Sequence, residues 1–465
     1  MNNIFIFMFT TVSMEFVIIF KKNFYIFLIS IFLMNCLSNH LPKAKLIAIL
    51  SLNSKSNIRY SKTSFEFTRG IEIQSEKPII ERLNPLNSDT NFSYLIKPDL
   101  PIGITLNKYT GIISGKPEIA SIPQNYEIQI SNNSESLTIV LNITVIGLRP
   151  LKTKQTGCWN NVGTPISCEN SGQDGELQLG REGDFSNPAT NADYPNDYIT
   201  KDNATGLIWK TCAEGQSGVD CSIGSSTTTD WETAQTICKS LDDLNSNAGY
   251  AGIKKWRTPT RKELITIATS IGNSSITSSS AFPSLSAPIW TSEEYDTSNA
   301  NRGLGIGLII STSKNSSTSV RCVSGNYYPN SAFLDNKDGT ITDFSTLLVW
   351  QKCPLGLSGD FCEVGTIAGQ NRSNSLLTCN GLSLANRTWR LPNYQELLSI
   401  VKPSKDNVAI DLNYFPNTFA GSFWTSTNSF SSLIAGFSVN FSDGNSSNGL
   451  KSSNIPKVRC VSTLK

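Results

Sequence analysis

Two segments, Asp202-Asn203-Ala204-Thr205-Gly206-Leu207-Ile208-Trp209-Lys210-Thr211-Cys212 and Asp343-Phe344-Ser345-Thr346-Leu347-Leu348-Val349-Trp350-Gln351-Lys352-Cys353, align residue for residue. The alignment continues downstream of both. Cys221 and Cys362 lie equally far on, then come Cys238 and Cys379. Trp256-Arg257-Thr258-Pro259 matches Trp389-Arg390-Leu391-Pro392, and Glu263-Leu264 matches Glu396-Leu397. Trp290-Thr291-Ser292 matches Trp424-Thr425-Ser426, and Val320-Arg321-Cys322-Val323-Ser324 matches Val458-Arg459-Cys460-Val461-Ser462. The order holds while loop lengths differ, which marks a duplicated domain. The copies occupy residues 190–324 and 330–465, behind a cysteine-containing leader at 148–189.

Each matched element has a physical role. Trp231, Ala234, Cys238 and Leu241 fall at helical spacing behind Asp230, a capping residue. Thr260-Arg261-Lys262-Glu263 forms a capping box after Pro259, and Asn393-Tyr394-Gln395-Glu396 repeats it with an asparagine cap. Glu263 and Glu396 would otherwise be the first carboxylates to suspect of catalysis; here they are expected to cap helices. Ala435, Phe437, Val439 and Phe441 alternate as a strand, and Asp443-Gly444 makes a turn. A helix cysteine joined to a terminal-strand cysteine would tie the beginning of each copy to its end. The expected pairs are Cys238–Cys322 and Cys379–Cys460, with short loops closed by Cys158–Cys168, Cys212–Cys221 and Cys353–Cys362.

Upstream, Tyr126, Ile128 and Ile130 alternate with polar residues, as do Leu137, Ile139, Leu141, Ile143 and Val145, so each set lines one sheet face. Thr110-Gly111 supplies a turn, and Gly115 and Pro117 end the strand after it. Residues 62–147 therefore read as a small β-sandwich. The run carried by Leu100, Pro101, Gly103, Leu106, Thr110, Gly111, Ile113, Ser114, Gly115 and Pro117 resembles the Ig-like module of the cadherin-like superfamily. That resemblance implies a spacer or binding module of exported proteins.

Residues 24–34 are apolar behind Lys21-Lys22 and read as the core of a signal peptide spanning residues 1–35; Met14 is an alternative start. Leu33-Met34-Asn35-Cys36 resembles a loose, spirochaete-type lipobox with Cys36 as the acylated residue. Residues 36–61 then form a polar tether. After Cys36 ten cysteines remain of 11, with no CxxC pair, which suits an oxidising compartment and a disulfide framework rather than zinc. The single histidine, His40, lies in the tether, so Ser-His-Asp and Cys-His catalysis are nearly excluded, and no enzyme is expected. A net charge of +2 gives no general pull toward nucleic acid.

The duplicated unit is similar to the Lcl C-terminal domain family, over roughly residues 155–465. Leader segments Thr156-Gly157-Cys158 and Gly172-Gln173-Asp174-Gly175-Glu176-Leu177-Gln178 and the run Asp335-Asn336-Lys337-Asp338-Gly339-Thr340 add to the likeness. The resemblance implies an α+β fold similar to the C-type lectin-like fold, in a family whose best-understood member is a surface adhesin for sulfated glycosaminoglycans. The chain lacks the Glu-Pro-Asn, Gln-Pro-Asp and Trp-Asn-Asp runs of calcium-dependent sugar binding, and lacks a collagen-like stalk. The fold expected is multidomain: an N-terminal all-β Ig-like sandwich, then two α+β, C-type-lectin-like, disulfide-stapled domains.

A sulfated ligand needs clustered cations. The densest run is Lys254-Lys255-Trp256-Arg257-Thr258-Pro259-Thr260-Arg261-Lys262, so Lys254, Lys255, Arg261 and Lys262 are the candidate ligand-binding residues, with Arg257 and Arg390 as framework. The second copy has Arg387 and Arg390 there. Trp290 and Trp424 are candidate sugar platforms with a core reading beside it. No cofactor is expected. Calcium would have to come from Asp89, Asp99 and Glu118, or from Asp335, Asp338 and Asp343, and neither set has a calcium-loop spacing. The function expected is a lipid-anchored adhesin of the outer membrane or cell surface. Its partners would be membrane lipid through Cys36 and a host or environmental polysaccharide or matrix protein. The alternative is a structural envelope lipoprotein without a specific ligand.

Overall fold

The computed structural model describes residues 56–81, 91–133, 135–267, 280–283, 288–303, 309–325, 331–402, 408–429 and 432–464. The signal segment, Cys36, His40, most of the tether, Asp89 and the loop 273–279 lie outside the described residues. The described chain is a multidomain, β-rich protein with few helices, several sheets and five disulfides.

The N-terminal module is built on a four-stranded sheet in the order Ser64–Thr68, Ser136–Ile146, Ser121–Ser131, Ser93–Lys97. The first pair is parallel, with Phe65 opposite Ile143; the rest are antiparallel, with Tyr126 opposite Leu141. Alternation sends Tyr126, Ile128, Ile130, Leu141, Ile143 and Val145 to one buried face. Two small ladders, Asn57–Arg59 with Ile79–Glu81 and Ile104–Leu106 with Ile113–Gly115, complete the module, and Ile58, Ile104 and Ile113 join its core. Gly111 turns between the last two strands at φ +67°. A Cβ there would sit 2.5 Å from the Tyr94 ring, and the Gly111 carbonyl accepts from the Tyr60 hydroxyl at 2.6 Å.

Each copy holds a matching four-stranded sheet. The first runs Ala189–Asn191, Tyr194–Lys201, Ile208–Lys210, Val323–Ser324; the second runs Phe333–Asp335, Thr340–Asp343, Leu348–Gln351, Val461–Thr463. A second sheet, around Ile289–Glu294 in one copy and Ser422–Asn428 in the other, packs beyond two short helices per copy. Asp230 caps the helix Trp231–Ser240 by accepting from the Thr233 N–H, and its apolar stripe buries Ala234 and Cys238. The disulfides join Cys238 to Cys322 and Cys379 to Cys460 across each copy, and close Cys158–Cys168, Cys212–Cys221 and Cys353–Cys362 locally.

The two copies share one hydrophobic core. Leu207, Trp209, Leu264 and Phe282 of the first meet Trp350, Tyr394, Phe437 and Phe441 of the second within it. At Gly444 the copies meet: a Cβ there would lie 2.7 Å from the Arg261 guanidinium of the first copy and 2.6 Å from Val401 of its own. The N-terminal module abuts the second copy, where the Gly147 N–H donates to the Phe344 carbonyl at 2.7 Å and Ala120, Ala332 and Phe344 bury together.

Candidate ligand-binding site

The structure separates the basic run. Lys254 and Lys255 are exposed, and the Lys254 ammonium donates to the Asp242 carbonyl. Arg261 and Lys262 turn inward. Arg261 is buried, with its guanidinium on the Gly444 carbonyl of the other copy, and Lys262 is partly buried between the copies. The four cations therefore do not form the single surface site expected of them. The cause is local: Thr260 starts the helix Arg261–Ile267, whose first turn faces the second copy, so helical geometry sweeps both side chains under the surface.

The capping carboxylates are committed to the framework. Thr260 and Glu263 exchange cap bonds at 2.8 and 3.1 Å, and Asn393 and Glu396 do so at 2.8 and 2.9 Å. Arg257 grips Glu263 with two bonds of 2.7 Å, and Arg390 grips Glu396 with two of 2.6 Å. Trp290 and Trp424 are fully buried, and their indole N–H groups donate to the Thr229 and Gln370 carbonyls at 2.8 Å. Neither presents a face to a sugar. Asp335 pairs with Lys337 and Lys352, Asp338 accepts from the Thr340 N–H, and Asp343 accepts from the Thr346 hydroxyl. Among the described residues no three His, Cys, Asp or Glu side chains are grouped to hold a metal ion.

The sequence does not reveal where the leader goes. It precedes the first copy in the chain, yet residues 153–174 pack on the second, while only its last residues, such as Asp184 and Ser186, pair with the first. Gln155 brackets Asn428 with bonds to its carbonyl, its N–H and its amide, at 2.9–3.1 Å. Asp174 accepts from the Thr153 and Thr427 hydroxyls, and Lys451 donates to the Asn160 carbonyl. Burial drives the Asp174 carboxyl up to about 6, against the two hydroxyls that pull it down.

Between leader and second copy opens a cleft of about 810 Å³. Asn170, Gly172 and Glu176 form the leader wall; Asn380, Asn386 and Arg387 form the opposite wall, with Trp389 and Arg390 at its base. Glu176 is held rigid by the Asn170 and Gly172 N–H groups at 2.7 Å. Arg387 makes no ion pair among the described residues, while the three asparagines are exposed. Arg387 aligns with Lys254, counting back from Trp389 and Trp256. The signal for this site was thus a single cation kept in both copies, which the denser run in the first copy outshone.

The Lcl C-terminal domain model matches residues 198–324 and again residues 339–462, together more than half of the chain. This chain belongs to the Lcl C-terminal domain family. Each match runs from the second strand of its four-stranded sheet to the last strand, which directly follows the last cysteine of the copy. The leader lies outside both matches, although it supplies one wall of the cleft on the second Lcl copy.

No curated protein matches the chain. Among solved structures, a Bacteroides fragilis protein assigned as an alpha-galactosidase/melibiase shares 18% identity at a TM-score of 0.17, over 21% of this chain and 20% of that one. The chain thus spans about a fifth of the length of that relative. The Yersinia pseudotuberculosis adhesin InvE shares 9% identity at a TM-score of 0.19, over 87% and 97% of the two chains. Invasin, a bacterial integrin-binding protein, shares 12% at 0.13, over 88% and 79%. At these scores none of the three fixes the fold.

Proposed function

We propose that this protein is a non-enzymatic adhesin of the cell envelope that binds an acidic polysaccharide in the cleft between its leader and its second Lcl copy. Acylated Cys36 anchors it, the Ig-like N-terminal module acts as spacer, and the Lcl copies carry the C-type-lectin-like surface. One observation carries the reading: a cleft of about 810 Å³ offers one uncommitted guanidinium, Arg387, flanked by the exposed amides of Asn170, Asn380 and Asn386. A guanidinium pairs with sulfate or carboxylate, and amides both donate to and accept from sugar hydroxyls. The test is a glycan array probed with the intact chain and with Arg387→Ala. The wild type should retain acidic glycans and the variant should lose them; equal retention removes the cleft. A second reading, a structural envelope protein, is favoured by the five disulfides and the shared core. It predicts an empty array with the fold intact.

A further inference from the structure

A smaller cavity, of about 40 Å³, lies where the leader and both copies meet. The helices Arg261–Ile267 and Tyr394–Ser399 occupy equivalent places in the repeats and form its two sides. They contribute Lys262 and Gln395 at aligned positions, and the leader contributes Arg181.

The lining carries unpaired donors. Gln395 is only 5% exposed, and its buried Nε2 has no partner. The Arg181 Nε is buried and has none either. Lys262 adds an ammonium whose pKa burial pulls down, against the Asp343 and Glu293 carboxylates, which pull it up. Both carboxylates are engaged elsewhere: Asp343 accepts from the Thr346 hydroxyl and the Ser345 N–H, and Glu293 accepts from the Arg261 N–H. The three hydroxyls on the cavity wall donate to protein oxygens, Thr266 to the Glu263 carbonyl, Ser399 to the Glu396 carbonyl and Thr346 to Asp343, so toward the cavity their oxygens act as acceptors for water. A buried donor left unpaired is costly, so two of them beside an ammonium favour a negatively charged acceptor, and the hydroxyl oxygens can accept from the waters that accompany it. A water needs roughly 10–15 Å³ of such space. The cavity therefore fits a monatomic or similarly small anion with one or two waters, and excludes a sugar.

The geometry points to a small-anion site, chloride in class, held jointly by Lys262 of the first copy, Gln395 of the second and Arg181 of the leader. The ion would fasten three parts of the chain at one point. The site is separate from the polysaccharide cleft and does not depend on it.

Thermal unfolding of the full chain in sodium chloride against sodium gluconate, at fixed ionic strength, tests this. Chloride should raise the midpoint in a saturable way; at tenfold its dissociation constant the folded-to-unfolded ratio rises by about tenfold. Lys262→Gln and Arg181→Gln should each flatten that dependence. No chloride effect in the wild type, or the same effect in Lys262→Gln, overturns the assignment. Should a variant fail to fold, wild-type crystals soaked in bromide decide: an anomalous peak within reach of Lys262 Nζ and Gln395 Nε2 supports the site, and its absence there overturns it.

Discussion

The Thr427 hydroxyl donates to Asp174 Oδ2 at 2.7 Å, across 253 residues of chain. The same hydroxyl oxygen accepts from the Tyr394 N–H at 3.0 Å, at the start of a helix. At the aligned place in the first copy, the Arg261 N–H donates directly to the Glu293 carboxylate at 2.8 Å. One copy carries its own carboxylate; the other borrows one from the leader. The Asp174 segment of the leader is therefore bound into the second copy.

Asp174 makes that borrowing depend on pH. Its carboxyl is raised from 3.8 to about 6, chiefly by burial. A raised acid lends its full stability below the unfolded pKa of about 3.9 and loses it as pH climbs through the folded value. From about pH 4 to 7 the wild-type midpoint should fall relative to that of Asp174→Asn, and the gap should level off above that range. Scanning calorimetry of both proteins across the range measures it; parallel profiles would rule the linkage out.

The bridge Cys238–Cys322 closes a loop of 84 residues, against nine for Cys212–Cys221. Replacing Cys238 and Cys322 by serine should cost about 2–4 kcal/mol, and the short pair less, because longer loops lose more unfolded-state entropy on closure. Urea denaturation of the two double variants gives the comparison, and a larger loss from the short pair would contradict it.

Gly444 and Gly206 both hold positive φ, +70° and +78°. A Cβ at Gly206 meets nothing within 4 Å, whereas one at Gly444 strikes Val401 and Arg261. Gly206→Ala should cost about 1 kcal/mol of backbone strain, and Gly444→Ala distinctly more, since its Cβ also presses on Val401 and on Arg261 of the other copy. Equal losses in chemical denaturation would mean that the junction yields freely.

Arg387→Ala should abolish glycan retention while moving stability by no more than about 0.5 kcal/mol, as a surface change does. Lys254→Ala, at the aligned position of the first copy, should leave retention intact because no leader wall faces it. Loss of binding in both variants would instead place the contact on the aligned loop of either copy.

The features visible in the sequence were local ones. The capping boxes at Thr260 and Asn393 are spacings of three residues, and the structure shows their bonds. The alternation of Tyr126, Ile128 and Ile130 likewise mapped onto one buried face. The basic run misled because charge density ignores direction: the same Thr260 that announces the helix decides that Arg261 and Lys262 point inward. The docking of the leader was invisible for a different reason. Gln155, Gln173 and Asp174 look like ordinary polar residues until Thr427 and Asn428 stand opposite them, and no periodicity encodes a contact of that span. Nor does the matched spacing around Trp209 and Trp350 reveal that the two copies fuse their cores.

The docking of leader residues Gln155 and Asp174 on the second copy fixes an order of assembly. Domains of a growing chain generally fold from the N-terminus onward, and long-range contacts form late. The N-terminal module and the first copy can gather as they emerge, but Gln155 and Asp174 must wait until the strand Ser422–Asn428 arrives. A chain halted before that strand would hold a first copy with a loose leader and no cleft. The leader contact therefore seals the molecule only once its last repeat is in place, and a protease that cuts free leader would spare finished molecules and remove the incomplete ones.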